Sequence, residues 1–236
     1  MPVVLVEKKT PNITVITLNR PDRRNALSIQ LLTELIASIK LASDETRERI
    51  LILRGAGMAF CTGLDLKEAQ DQTKAHATAD LVAHVLGALN DARPVTIAAV
   101  HGAAVAGGAG IITRRGLVAG LVMTFLRRQL GERDMRELLL SGELIDAKRA
   151  LEMGLVNRVV AAGEVMNEAL NFADSVLQGA PNAVLQTKRM IEELWSTSVK
   201  DDLERALKHH MQARRSAEAR EGIAAFNEKR KANWMK

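Results

Sequence analysis

Two short segments have the composition of turns that offer backbone N–H groups to a ligand. The first is Phe60-Cys61-Thr62-Gly63-Leu64-Asp65, and the second is Ala104-Val105-Ala106-Gly107-Gly108-Ala109-Gly110. Each follows an apolar run that reads as a strand, Arg49–Leu53 and Val95–Val100, and each leads into a sequence that reads as helical. The first amides of a helix have no carbonyl partner inside it and point outward. Glycine lets a ligand oxygen approach the main chain closely. Two such turns facing one another would place two donors on one carbonyl oxygen, where they would stabilise developing negative charge. Small residues after a strand also allow a helix to pack closely on it, so the pattern alone carries both readings. The glycines match neither GxGxxG nor GxxxxGK, so no dinucleotide or P-loop site is supported.

Other reactive side chains offer less. Cys61 has no neighbouring histidine in sequence to activate it, and reads as a buried thiol. His101 ends an apolar strand and reads as a packed, hydrogen-bonded residue. His209 and His210 are adjacent on a helix and so point in different directions, which excludes a joint metal site there. Glu132 and Asp134 read as helix caps, and Glu68 as part of a solvated face. No metal site is expected.

The elements that must position the two turns follow from periodicity. Val3–Glu7 and Ile13–Leu18 read as a hairpin turned at Pro11-Asn12. Ser28 is an N-cap for a helix to about Leu41, with an apolar stripe at Ile29, Leu32, Leu35, Ile36 and Ile39. A helix over 79–91 separates the strands at 49–53 and 95–100, and such alternation predicts an α/β fold with parallel pairing. Beyond about Glu132 the pattern is helical. Pro181 suits the first position of a helix whose stripe includes Val184, Leu185, Met190, Ile191 and Leu194. A last amphipathic stretch covers 201–226. This divides the chain into an α/β core over 1–178 and a helical region over 179–236.

The chain has 236 residues, 47% hydrophobic and 26% charged, enough for a sizeable core without metal or disulfide staples. Aromatic residues make up only 3% and tyrosine is absent, so the core is aliphatic and base-stacking on aromatics is disfavoured. The single cysteine excludes an internal disulfide and points to a reducing, cytoplasmic setting. A net charge of +5 would suit a polyanion, but the basic residues are dispersed, with small clusters at RPDRR and EKRKANWMK. Those clusters could hold the phosphates of a small ligand as readily as RNA. The start MPVVLVEKK has no basic leader followed by a long apolar segment. Pro94–Thr113 carries no charge, yet its four glycines, its proline and His101 read as a buried strand entering a turn, not a membrane span.

Four segments in series, LNRPDRRNALS, AFCTGLDLKE, PVTIAAVHGAAVAGGAG and LLLSGELIDAKRALEMGLVNRVV, resemble the crotonase, or enoyl-CoA hydratase/isomerase, superfamily. The resemblance covers nearly the whole chain. It implies a spiral of ββα repeats with a C-terminal helical trimerisation region, and assembly as a homotrimer or a hexamer (a dimer of trimers). It implies an acyl-CoA thioester ligand, with coenzyme A as part of the substrate and no tightly bound cofactor. The family's two oxyanion donors are backbone N–H groups, and they fall on Leu64 and Gly107. Its coenzyme A contacts fall on Arg24, Asn25 and Ala26, on Thr62, Gly63, Asp65 and Leu66, and near the C-terminus on Phe226 and Lys229. Membrane and nucleic-acid partners are not expected.

The sequence departs from the family at the acids. The family's first hydratase glutamate falls on Gly110, and no Pro-Glu pair precedes Gly116-Leu117-Val118. About twenty residues of the family pattern have no counterpart between Gly110 and Gly116, and five residues cannot make the crossover that a parallel strand pair needs. The expected function is an enoyl-CoA hydratase or isomerase. The alternatives are a non-catalytic acyl-CoA-binding homologue and, last, a basic RNA-binding protein.

Overall fold

A computed structural model describes residues 2–69, 71, 73–104, 118–195 and 198–234. Gly107, Gly110, and the run between Gly110 and Gly116 lie outside the described residues. The described chain groups into two compact units, one of residues 1–62, 84–104 and 160–198, the other of 63–83, 105–159 and 199–236. The boundary expected near residue 178 falls inside the first unit.

The first unit is built on a four-stranded sheet. Strand β1 (Val4–Thr10) pairs antiparallel with β2 (Ile13–Leu18), as the hairpin pattern predicts. Strands β3 (Ile50–Gly55) and β5 (Val95–Ala99) then add in parallel, in the order β1-β2-β3-β5. Parallel strands covered on both faces read as continuous apolar runs, as β2 and β3 do. Ile13, Val15, Ile50, Ile52 and Ala99 form one core with Ala169 and Ala173 of a helix over Val165–Leu177. Thr14, Ile16 and Leu18, on the other face by the two-residue period, are buried as well.

Helix α1 (Ile29–Asp44) begins where expected, with the Ser28 hydroxyl accepting the Leu31 N–H at 3.2 Å. Its buried stripe is Leu31, Leu32, Leu35, Ile39 and Ala42; Ile29 and Ile36 lie at its margin and are half-buried. The third strand ends at Gly55, where a Cβ would stand 2.5 Å from the Phe60 carbonyl oxygen. This lets the chain double back into a second, two-stranded sheet of β4 (Ala59–Cys61) and β6 (Ala103–Ala104).

The second unit is helical. It holds α2 (Leu66–Ala69) and the first part of α3 (Ala75–Asp91). Its other helices among the described residues are α4 (Gly120–Gln129), α5 (Glu132–Ser141), α6 (Ala147–Glu152), α9 (Val199–Arg214) and α10 (Ala217–Asn227). The helix over 165–177 is α7, and α8 (Pro181–Glu193) follows it in the first unit. At Gly120, α4 meets α9 so closely that a Cβ would lie 2.9 Å from the Ala206 carbonyl oxygen. The amphipathic stretch expected over 201–226 is two helices. Ser216 breaks it, its hydroxyl accepting the Ala219 N–H at 3.0 Å, because a serine competes for the backbone and favours a cap.

Candidate active site

The loop ahead of α1 holds three of the expected ligand positions. Pro21–Arg23 forms one turn of 3-10 helix, closed by Arg24 in the left-handed region at φ 49°. Asn25 is also left-handed, at φ 56°, a conformation asparagine tolerates better than most residues. Its side chain is fully buried and fully employed. Oδ1 accepts the Arg20 N–H at 2.8 Å, and Nδ2 faces the carbonyls of Ala56, Ala59 and Phe60 at 2.9, 2.8 and 3.1 Å. Asn25 therefore positions its neighbours instead of offering a side chain to a ligand.

The same loop is tied to the first N–H-presenting turn. The Thr62 hydroxyl donates to the Arg24 carbonyl at 3.2 Å. The Ala26 N–H donates to Arg23 at 3.0 Å, and the Ala26 carbonyl accepts from the Arg20 guanidinium. These bonds fix the backbone and leave the Arg24 guanidinium exposed, with no ion pair or hydrogen bond among the described residues. Residues 24–26 and Thr62, remote in sequence, are thus held together within the first unit.

Beyond Thr62 the chain enters the second unit. Gly63 turns it at φ 86°, and Leu64 follows, half-buried. Among the described residues none accepts the Leu64 N–H. Asp65 starts α2: its carboxylate accepts the Lys67 N–H at 3.2 Å and its carbonyl the Ala69 N–H at 2.9 Å, with Leu66 as the first helical residue. Strand, glycine turn and helix start thus follow in the order expected. The second turn, with Gly107, lies outside the described residues.

Phe226 and Lys229 lie at the end of α10, and both are exposed. The Lys229 N–H donates to Phe226 at 3.2 Å and the Arg230 N–H to Ala225 at 2.9 Å, a Schellman closure. Glycine usually occupies the left-handed position of such a closure; here Lys229 does, at φ 55°. Arg230 grips Glu221 at 2.6 and 2.9 Å and Glu228 at 2.6 Å. The hydrogen bond from Arg230 is the main cause that holds the Glu221 carboxyl down at about 2. This cluster orients the tail while the Lys229 ammonium forms no ion pair among the described residues.

The remaining candidates have structural places. Cys61 is buried. The His101 ring contacts the Gly57 carbonyl through Nε2 at 2.9 Å. His209 is exposed, whereas His210 is buried with Nδ1 3.2 Å from the Val118 carbonyl. Burial, chiefly, lowers the pKa of His210; the hydrogen bond to Val118 opposes that shift and the charge of Arg214 adds to it. Glu132 and Asp134 are not caps, since Gly131 is the cap residue of α5. They lie in its first turn, where Asp134 pairs with Arg149 at 3.0 Å. Glu68 is half-buried on α2. No group of three or more His, Cys, Asp or Glu that could hold a metal occurs among the described residues, nor any helix long and apolar enough to cross a membrane.

The fold is that of the crotonases. An enoyl-CoA hydratase/isomerase from Mycobacterium paratuberculosis superposes with a TM-score of 0.85 at 26% identity, covering 95% of this chain and 98% of that one. The sequence profile of the enoyl-CoA hydratase/isomerase family matches residues 8–113 and 112–236, and the chain belongs to that family. It is 32% identical to the enoyl-CoA hydratase EchA19 of Mycobacterium tuberculosis, over 99% of this chain and 97% of that protein. It is 30% identical to the mevalonyl-coenzyme A hydratase of Aspergillus fumigatus, over 98% and 94%. The latter alignment runs over 255 positions while drawing on 98% of 236 residues, so about 24 positions have no counterpart in this chain. The two profile segments meet at residues 112–113, between Gly110 and Gly116.

Proposed function

We propose that the chain is an acyl-CoA enzyme of the hydratase/isomerase type, in which the Leu64 and Gly107 N–H groups stabilise the enolate of a bound thioester. The observation that carries this reading is the turn at Gly63-Leu64: the Leu64 amide has no acceptor among the described residues, in a chain of this family. Charge that develops on the thioester oxygen is stabilised by donors already in position. Arg24 and Lys229 bind the phosphates of coenzyme A with side chains that no other described group engages. Thr62, Gly63, Asp65 and Leu66 shape the same contact, Asn25 and Ala26 hold the loop that presents Arg24, and Phe226 covers the ligand. The working form is a cytoplasmic homotrimer or hexamer.

Gly110 favours a second reading, a non-catalytic acyl-CoA binder, because glycine supplies no proton where the family's first glutamate acts. Turnover decides between them. The purified protein is assayed with crotonyl-CoA for hydration and with a 3-enoyl-CoA for double-bond migration. Turnover of either supports the enzyme; retained binding with no turnover of either supports the binder. Leu64→Pro removes one donor, and the expected loss is about 10²–10³-fold in kcat with acyl-CoA binding retained. An unchanged kcat in a folded Leu64→Pro variant overturns the assigned role of that amide.

A further inference from the structure

The loop that presents Arg24 takes its support from the turn between β3 and β4. Asn25 Nδ2 faces the carbonyls of Ala56, Ala59 and Phe60, and Thr62, just past β4, bonds the Arg24 carbonyl. A Cβ at Gly57 would lie 2.8 Å from the Pro21 side chain. Arg24 is therefore placed only as firmly as this turn is. The turn is Ala56, Gly57 and Met58, and Met58 is 93% exposed, so no apolar packing of that side chain holds it. A short surface turn moves more than the strands it joins unless hydrogen bonds fix it.

A second set of bonds comes from the chain leaving β5. The His101 ring meets the Gly57 carbonyl through Nε2 at 2.9 Å. A carbonyl oxygen only accepts, so Nε2 carries the proton and donates it. The His101 carbonyl accepts the Phe60 N–H at 3.0 Å. One residue thus bonds the chain on either side of Met58. Gly102 follows at φ 59°, and a Cβ there would collide with the Met58 carbonyl. We propose that His101 is a positioning residue for coenzyme A: its ring fixes the Gly57 carbonyl, the fixed turn holds Asn25, and Asn25 holds the backbone that presents Arg24 to the ligand's phosphates. This rests on the acyl-CoA reading above. Every link lies within the first compact unit.

The test reads coenzyme A affinity by isothermal titration on the full-length protein. His101→Gln keeps an N–H at the reach of Nε2, whereas His101→Asn and His101→Ser fall short of the carbonyl, and either of these two carries the comparison. The Gln variant is expected to bind within about twofold of the wild type. The short variants are expected to bind about three- to tenfold more weakly, the worth of one net hydrogen bond. Because the effect passes through Arg24, the same change in an Arg24→Ala background should weaken binding by less than about twofold. A His101 that only supports the fold would lower the melting temperature and leave the affinity alone. Equal affinity in the Gln and short variants, or losses that multiply in full in the double variant, overturns the proposal and leaves the acyl-CoA reading intact. A wild type that binds no coenzyme A overturns both.

Discussion

At the scale of single residues, Asn25 is the hinge of the site. Its side chain joins the loop at 20–27 to three carbonyls of residues 56–60, and those carbonyls have no simple replacement in a buried setting. Asn25→Ala should destabilise the protein by about 2–4 kcal/mol in denaturant titration, because it orphans buried carbonyls and places alanine at a left-handed backbone position. Asn25→Gly keeps the conformation and loses only the bonds, so it should recover about 1 kcal/mol of that loss. His210 supplies the pH dependence. Its folded pKa lies below the unfolded value, so the unfolded chain takes up the proton first as pH falls. The stability it contributes is present above about pH 6.5 and declines as pH drops below that toward the folded pKa. The melting temperature of the wild type should fall between pH 7.5 and 5.5, and His210→Phe should flatten that slope; an equal slope in both removes His210 as its source. The Asn25 position was legible in the sequence through resemblance, but its task was not, since the carbonyls it serves lie more than thirty residues away. Arg214 is hidden for the opposite reason: an arginine on a helix reads as solvated, yet this one lies on the buried face of α9 and is 1% exposed.

At the scale of elements, the long periodic segments were legible and the short ones were not. The hairpin, the Ser28 cap of α1 and the start of α8 at Pro181 follow from period and capping chemistry, which act within a few residues. Strands β4 and β6, of three and two residues, are too short to show a period, and their pairing depends on the chain doubling back at Gly55. The break at Ser216 was hidden because apolar spacing continues across it. The end of α10 tests whether element geometry serves binding. Lys229 occupies a left-handed position where glycine fits without strain. Lys229→Gly should raise stability by about 1 kcal/mol and lower coenzyme A affinity. A rise in melting temperature with unchanged affinity would reduce Lys229 to a surface lysine.

At the scale of the molecule, the C-terminal part of the apolar stripe on α8 and its cap is exposed among the described residues, while Val184 and Leu185 nearer its start are half-buried. Met190, Ile191 and Leu194 are exposed, Leu194 at 79%, with Trp195 beside them. A contiguous apolar face of this kind on a well-ordered helix marks an association surface. The sequence period showed that the stripe exists; it could not show that part of the stripe is exposed, because a stripe facing a core and one facing solvent or a partner have the same spacing. The proposed homotrimer or hexamer gives the stripe that partner, through a closed symmetric interface. Light scattering on the eluting protein should return three or six times the 25.7 kDa chain mass. The paired change Ile191→Asp and Leu194→Asp should shift that mass toward the monomer while the far-ultraviolet dichroism of the helices persists, since neither side chain is part of a buried core. An assembly that survives both charges would place the subunit contact on another face and leave the α8 stripe unexplained.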